Sequence, residues 1–329
     1  MKRVKFLSTL FLILAISYPA LAGRGKISGL VYSDYYYFLS NHQKALEGMN
    51  GFWFRRIYFT YDYRLNKRFS LRIRTEAASS GNFLREKITP FIKDLYLRWD
   101  FSGQSLFAGI SPTPTINMVE KVWGYRSVEK TPLDLYKMAP SRDTGIALRG
   151  KFLRGRFYYH LMLANGEGNK SEDKRQKKIY GALGLYPAKG LYIEVYGDYA
   201  KGSVPEGDIT TLQGFFSYSF SRGALGFLYA RQNYGDGTYI RVASGFVRFN
   251  LNRKLTFLTR TDRVMDPVPD AYRIAYLPLD NTTPFTFFLM GLDWKITGNI
   301  SLIPNLEMVN YDQGSDKDLI GRLTLYYRW

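Results

Sequence analysis

Hydrophobic and polar residues alternate with a period of two along most of the chain, and the last segment, residues 319–329, shows this pattern clearly. Leu323 and Leu325 fall on one face of that segment, whereas Arg322 and Arg328 fall on the other. Successive side chains of an extended strand point to opposite faces, so a period of two predicts β-structure. We therefore predict a strand here with one apolar face and one charged face.

The same alternation, bounded by clusters of Gly, Pro, Asn and Ser, predicts about sixteen strands. They lie near residues 26–38, 53–64, 69–78, 91–100, 105–111, 143–152, 156–164, 178–187, 191–200, 210–220, 224–233, 239–251, 255–263, 286–296, 300–310 and 319–329. Nearly all of the connections alternate between short and long. Outer-membrane barrels have short periplasmic turns and longer extracellular loops. This alternation of connection lengths predicts an all-β, transmembrane antiparallel β-barrel. In a soluble β-sandwich, no physical constraint would make the connections short at one end and long at the other.

The alternation also assigns the two faces of the predicted barrel. An Arg or Lys at the bilayer midplane costs about 2–4 kcal/mol, so the apolar face meets lipid and the charged face lines the lumen. About sixteen strands leave an aqueous channel inside such a barrel. The predicted lumen residues are Arg56, Arg64, Arg72, Arg74, Arg98, Arg149, Lys151, Arg156, Arg248, Arg260, Arg322 and Arg328. Most of them lie on the second, third, fourth and sixth strands, which predicts one basic wall with Asp62, Glu76, Asp94 and Asp100 interspersed.

The beginning of the chain differs from the rest. It carries three basic residues, then an apolar run from Phe6 to Ile16, and then Ala20-Leu21-Ala22. This order is typical of a secretory signal peptide. The alternative is a transmembrane anchor, but the run is shorter than the roughly 20 residues that span a bilayer. We expect a cleaved signal peptide at residues 1–22 and a barrel domain at 23–329, located in the bacterial outer membrane.

Composition and charge narrow the choice of partner. Aromatic residues make up 17% of the chain, as expected for the interfacial girdles of a membrane barrel. The chain contains no cysteine, which excludes disulfides and cysteine-based zinc sites. Without residues 1–22, 43 basic and 28 acidic residues remain, a net charge of +15. We expect outer-membrane lipid and small anionic solutes as partners, because export disfavours nucleic acid.

The longest connection follows the fifth predicted strand, from Pro112 to about Arg142. It carries Lys121, Arg126, Lys130 and Lys137. Loops of this length are usually functional. In general porins the loop after the fifth strand folds inward and narrows the channel, and the position here is similar. We expect an inward constriction loop with a short helix within residues 116–126. The alternative is an external lid, on which the same cations would form an entrance funnel.

Several stretches resemble known families. A last strand that ends in Trp329 is similar to the closing strand of outer-membrane barrels. The stretches 52–57, 94–99, 107–112 and 141–146 resemble the phosphate-selective porin O and P family. They read Phe-Trp-Phe-Arg-Arg-Ile, Asp-Leu-Tyr-Leu-Arg-Trp, Phe-Ala-Gly-Ile-Ser-Pro and Ser-Arg-Asp-Thr-Gly-Ile. The resemblance implies a sixteen-stranded, typically trimeric anion channel lined by arginine and lysine, although this chain is short for the family.

We therefore expect the channel to conduct anions. Phosphate is a candidate substrate, because guanidinium groups bind phosphate through two parallel hydrogen bonds. The main alternative is a general non-selective or carbohydrate porin, in which the lumenal charges pair with one another. An outer-membrane barrel hydrolase would have only His42 and His160 as imidazole bases, and no Ser or Asp partner is tied to either by spacing. An adhesin barrel would need a loop long enough to fold as a binding domain. We expect no catalysis, no cofactor and no metal.

Overall fold

The computed structural model describes residues 25–83, 86–171, 177–202, 207–314 and 316–329. The predicted signal peptide at residues 1–22 lies outside these ranges. Sixteen antiparallel strands form one closed barrel in which each strand pairs with its neighbours in sequence. The strands are β1 (Gly25–Ser40), β2 (Asn50–Arg64), β3 (Phe69–Ala77), β4 (Phe91–Phe101), β5 (Gln104–Pro112), β6 (Arg142–Phe152), β7 (Phe157–Ala164), β8 (Lys178–Leu185), β9 (Leu191–Ala200), β10 (Ile209–Phe220), β11 (Gly223–Asn233), β12 (Tyr239–Asn250), β13 (Leu255–Val264), β14 (Phe285–Lys295), β15 (Ile300–Tyr311) and β16 (Asp318–Arg328). The predicted fold class is confirmed.

The barrel closes between the first and last strands. Tyr35 lies opposite Leu323 in an antiparallel register. Gly29 and Trp329 exchange two backbone hydrogen bonds of 3.1 and 3.2 Å at the end of this seam. Closure removes the two free strand edges that an open sheet would present to its surroundings.

The two faces of the wall follow the predicted alternation. Leu71 and Ile73 of β3 point outward, whereas Arg72 and Arg74 point inward and form ion pairs with inward carboxylates. On β6 and β7, Ile146 and Leu163 are 57% and 54% exposed on the outer face. The outer face is thus apolar and aromatic, and the charged side chains are turned to the interior.

Register shifts occur at three places in the described strands, and two of them bring additional charged residues inside the barrel. The register of β1 with β2 shifts between Tyr32 and Ser33, so Arg55 has no opposite residue. The register of β3 with β4 shifts between Arg74 and Thr75, which leaves Lys93 unopposed. An extra residue in one strand changes which face the following residues occupy. As a result, Arg55 and Arg56 both form ion pairs inside the barrel, and so do Lys93 and Asp94.

The connections have unequal lengths at the two ends of the barrel, as predicted. At one end, β5 and β6 are joined by residues 113–141, which we call the inner loop. It contains α1 (Asn117–Trp123) and α2 (Pro132–Leu135). Helix α1 ends at Gly124, whose φ of 73° lets its amide donate to the Glu120 carbonyl at 2.8 Å. In the described residues, no helix is both long and apolar enough to cross a bilayer.

A second connection, residues 265–284 between β13 and β14, also folds into the barrel mouth. Its apolar residues Ile274, Leu277 and Leu279 are buried. The amide of Tyr276 donates to the Gly81 carbonyl at 2.8 Å, so this loop reaches the connection between β3 and β4. The sequence had predicted only one inward loop, and we call this segment the second inward loop.

Candidate functional site: the channel interior

The inner loop lies inside the barrel and is tied to the wall by hydrogen bonds from several strands. The Thr115 hydroxyl donates to the Tyr196 hydroxyl at 2.8 Å. The Tyr125 hydroxyl donates to Asp293 at 3.0 Å, and the Tyr136 hydroxyl donates to Asp262 at 2.8 Å. The loop therefore folds inward as expected, and the external-lid alternative is wrong.

Apolar packing fixes the side of the interior on which the inner loop sits. Helix α1 packs against β10, β11 and β12. Its Val119, Val122 and Trp123 are buried, and the Trp123 ring lies 5.2 Å from the ring of Phe246 on β12. Burying such side chains is worth about 1.5–3 kcal/mol each. This half of the lumen is filled, and the polar space is displaced towards the opposite wall.

Three buried arginines, on β2, β13 and β16, also bind the inner loop. Arg55 forms an ion pair with Asp34 and donates to the carbonyls of Ser127 and Val128. Arg260 pairs with Asp262 at 2.5 Å and donates to the Lys130 carbonyl. Arg322 pairs with Glu129 at 3.3 Å. Arg260 and Arg322, predicted to line the lumen, lie inside the barrel as buried anchors of the loop.

Strands β2–β6 present what we call the basic wall to the interior. It is formed by Arg56, Arg72, Arg74, Lys93, Arg98, Arg142, Arg149 and Lys151. These eight cations are accompanied by five acidic side chains on the inner faces of the same strands: Asp62, Glu76, Asp94, Asp100 and Asp143. Arg55 of β2 also lies inside but pairs with Asp34 of β1. The predicted wall residues are thus brought together on one side, with the predicted acids among them.

Most cations of the basic wall are paired with carboxylates. Arg72 pairs with Asp62 at 2.7 Å, and Arg98 pairs with Asp100 at 2.7 Å. Further pairs join Arg56 and Lys93 to Glu76, and Arg74 and Arg142 to Asp94. Two of these carboxylates therefore serve two cations each, which leaves an excess of positive charge.

Arg149 and Lys151 carry part of this excess. Within the described residues, neither forms an ion pair. The Arg149 guanidinium lies 4.3 Å from the centre of the Phe107 ring, and the Lys151 ammonium lies 5.3 Å from the centre of the Tyr186 ring. An aromatic face contacts a cation without neutralising it. Both cations keep N–H groups available to an anion.

The inner loop turns its own charged residues towards the basic wall. Arg126 pairs with Glu120 and, at 2.7 Å, with Asp134. Burial raises the pKa of the Asp134 carboxyl, but Arg126, Lys130 and Arg56 outweigh it and hold this pKa below the ordinary value. Burial lowers the pKa of Lys130, and Arg56 and Arg126 add to this effect. Arg56 of β2 is thus close enough to both loop residues to influence their pKa values, and we call this region between the inner loop and the basic wall the constriction.

Side chains of the basic wall are more exposed towards the end with the short turns. Near the constriction, the side chains of Arg74 and Arg142 are only 19% and 13% exposed, whereas that of Arg98 is 38% exposed. A cavity of about 270 Å³ lies between the inner loop and β14–β16. Arg248, Arg126 and Arg328 are among its lining residues, together with Tyr125. The structure places the predicted residues Arg248 and Arg328 beside this cavity, near the short turns.

The other predicted cations lie farther from the constriction. Arg156 precedes β7 in a short turn and is exposed, and Arg64 is exposed at the end of β2. Lys121 and Lys137 are both exposed on the inner loop. The pKa of Lys137 is lowered by burial of part of its side chain. The structure places these four residues apart from the group that surrounds Arg56.

Sequence reasoning missed Arg55, Lys93 and Arg142 as interior cations. Alternation assigns Arg55 and Lys93 to the outer face, and only the bulges bring them inside. Arg142 is the first residue of β6, at the end of the long connection. The adjacent pairs Arg55-Arg56 and Lys93-Asp94 were the available signal, because two successive charged residues cannot both face inward in a regular strand.

The two histidines lie on different elements and have different surroundings. His42 lies in the first loop, where its Nδ1 is 2.9 Å from Asp318, and its Nε2 lies 3.3 Å from Gln43 Nε2. His160 is buried on the inner face of β7, opposite Arg149. The Tyr311 hydroxyl lies 3.3 Å from His42 Nδ1 and donates to Asp318 at 2.6 Å. Among the residues described, no Ser or Thr hydroxyl forms a hydrogen bond with either ring. The described ranges also hold no group of three or more His, Asp or Glu residues placed to bind a metal.

Comparisons with known proteins agree with this architecture. No protein-family model matches the chain, and no curated protein matches it in sequence. An anion-selective porin from Comamonas acidovorans is similar in structure, with a TM-score of 0.69, 12% identity, and 93% of this chain and 99% of that chain covered. OmpF of Salmonella typhi, in complex with daunomycin, has a TM-score of 0.69 at 8% identity, covering 93% and 97%. The outer-membrane channel DcaP of Acinetobacter baumannii has a TM-score of 0.68 at 9% identity, also covering 93% and 97%. These likenesses establish a porin-type barrel fold.

Proposed function

We propose that this barrel is an outer-membrane porin that conducts small anions by passive diffusion through the gap between the inner loop and the basic wall. The observation that carries the proposal is the charge imbalance of that wall, together with two cations, Arg149 and Lys151, that lack an ion pair within the described residues. Basic side chains lining a pore favour anions over cations. An anion-selective porin among the structural neighbours supports the same reading.

Phosphate is the anion that the wall chemistry favours most. Planar guanidinium groups bind phosphate in a bidentate manner, and the Arg149 guanidinium, 4.3 Å from the centre of the Phe107 ring, forms no ion pair within the described residues. The resemblance to the phosphate-selective porin O and P family supports the same ligand. The competing function is a general porin, which the pairing of Arg72 with Asp62 and of Arg98 with Asp100 favours.

Reversal potentials of the purified protein in planar bilayers under a KCl gradient test the proposal. We expect the sign that corresponds to chloride permeating faster than potassium. Adding phosphate at constant chloride should then reduce the chloride current if phosphate occupies a site on the wall. A cation-selective or non-conducting protein would overturn the channel proposal. An undiminished chloride current would leave an anion pore without phosphate preference.

The double variant Arg149→Gln with Lys151→Gln tests which residues cause the selectivity. These side chains have no carboxylate partner among the described residues, so their loss leaves no stranded acid. We expect the permeability ratio of chloride to potassium to fall severalfold. The matched control is Lys201→Gln with Arg231→Gln, which removes two exposed cations away from the wall that also form no ion pair in the described residues. If both double variants lower the ratio equally, general surface charge sets the selectivity.

The proposal also includes a location and an assembly state. We infer export with cleavage near residue 22, insertion in the outer membrane, and a homotrimer, which the family resemblance implies. N-terminal sequencing of protein from isolated outer membranes tests cleavage and location. Chemical cross-linking in native membranes tests the trimer, and a ladder that stops at the monomer would contradict it.

A further inference from the structure

The short turns of the barrel carry a distinct pattern of charge. The residues that join the strands at this end include eight basic residues and no acidic one. We call the eight residues the turn ring: Lys67, Arg68, Arg154, Arg156, Lys189, Arg222, Arg253 and Lys254. All eight are exposed, and none forms an ion pair in the part of the chain that the structure describes.

The opposite end of the barrel has a different charge balance. There, exposed cations pair with carboxylates of the long connections: Arg263 with Asp312 at 2.6 Å, and Lys44 with Asp316 at 2.7 Å. Arg241 is likewise paired with Asp266. The long connections also carry exposed cations without an ion pair in the described residues, such as Lys87 and Lys201, but acidic residues lie among them. The charged residues of the short turns are all basic, and these form a ring around that end of the barrel.

Aromatic residues on the outer face lie directly beside the turn ring. The rings of Phe69 and Trp99 stack at 5.9 Å, and those of Phe152 and Phe157 stack at 5.0 Å. Phe69 directly follows Arg68, and Phe157 directly follows Arg156. Outward aromatic girdles of membrane barrels sit at the level of the lipid headgroups. The long basic side chains therefore lie within reach of the phosphate groups just beyond the aromatic rings.

We propose that the turn ring binds the headgroups of anionic phospholipids in the periplasmic leaflet of the outer membrane. This inference relies on the membrane location in the proposed function, but not on anion conduction. Clusters of Lys and Arg beside a membrane surface recruit anionic lipid. An anionic cell-wall polymer is the competing partner. The adjacency of the cations to the aromatic girdle favours lipid, because the charges extend a surface that already contacts the bilayer.

The test uses the full mature chain in phosphatidylcholine vesicles that contain a minor fraction of phosphatidylglycerol. Native mass spectrometry measures which lipid leaves the membrane with the protein. We expect phosphatidylglycerol to be enriched about fivefold over the vesicle composition. The variant Lys67→Gln, Arg154→Gln, Arg222→Gln and Lys254→Gln should reduce this enrichment towards the vesicle composition. The control Lys44→Gln, Arg231→Gln, Arg273→Gln and Lys317→Gln removes as many exposed cations outside the turns and should retain the enrichment.

Several outcomes would overturn the inference. Equal enrichment in the turn variant and the wild type would show that the ring does not select the lipid. Loss of binding to purified peptidoglycan sacculi with unchanged lipid enrichment would assign the ring to the cell wall. If the turn variant does not fold, the salt dependence of the wild-type protein tests the inference. Electrostatic enrichment of phosphatidylglycerol must decrease between about 0.1 M and 1 M salt, and an unchanged enrichment would contradict the inference. Cation-selective conductance with lipid enrichment intact would refute the channel proposal alone.

Discussion

Arg322 on the last strand and Glu129 on the inner loop form a buried ion pair, with 3.3 Å between Nη1 and Oε2. The same guanidinium pairs with Glu307 at 2.7 Å and donates from Nη2 to the carbonyl of Tyr276 at 2.8 Å. Tyr276 belongs to the second inward loop. One arginine beside the closing seam therefore ties both inward loops to the wall, so the shape of the channel depends on it.

Replacing this residue should loosen both loops at once. Removing one partner of a buried ion pair costs about 3–5 kcal/mol, because the other charge stays buried without compensation. For Arg322→Gln we expect a lower midpoint of thermal unfolding and new protease cleavage within residues 113–141. Arg328→Gln, on the same face of β16 but exposed, should leave both unchanged. Equal effects of the two variants would mean that Arg322 does not anchor the loops.

The fold could be predicted from the sequence because each of the sixteen strands follows the same alternation of apolar and polar residues. A strand with one face to lipid and one to the lumen alternates apolar and polar side chains. Once the other strands are paired in sequence order, only β1 is left to pair with β16 and close the barrel. The pairing of β1 with β16, with Tyr35 opposite Leu323, confirms that step. The short helix expected within residues 116–126 is also present as α1. These features depend on local pattern and on the order of elements, both of which are readable from the sequence.

The parts that were missed depend on register and on tertiary contacts. A bulge adds one residue to one strand, and its position at Arg55 is set by the partner strand β1. The second inward loop carries Ile274, Leu277 and Leu279 without any period, so nothing local indicated that it folds inward. Ion pairing across strands, such as Arg72 with Asp62, also requires the register. A count of arginines in the sequence therefore overestimates the number of basic-wall side chains that have no carboxylate partner.

The face assignment makes a prediction about assembly. Leu71 and Arg72 are adjacent on β3 and point to opposite faces of the wall. Leu71→Arg places a charge on the lipid side, which costs about 2–4 kcal/mol near the bilayer midplane. We expect this variant to fold poorly into vesicles, as measured by the fraction of heat-modifiable barrel on gels. Arg72→Gln should fold normally. The reverse result would mean that the faces are inverted.

The second inward loop should restrict conduction at the barrel mouth. The Tyr276 hydroxyl donates to the Ser79 carbonyl at 2.6 Å, and its ring lies 4.8 Å from the ring of Trp53. Tyr276→Ala removes both contacts, so we expect a larger single-channel conductance with little change in ion selectivity. Tyr272→Ala alters an exposed ring of the same loop and serves as the control. An unchanged conductance for Tyr276→Ala would place the narrowest point elsewhere.

Selectivity should respond to alkaline pH through Lys130 of the inner loop. Burial, Arg56 and Arg126 lower the pKa of this lysine, so it loses its charge below the ordinary lysine pKa of about 10.4. In that window the unfolded chain binds more protons than the folded one, so stability rises with pH while positive charge at the constriction is lost. Reversal potentials measured from about pH 7 upward should show a larger decline in chloride preference for the wild type than for Lys130→Arg, which stays charged. Identical pH profiles for the two proteins would show that Lys130 does not contribute to selectivity.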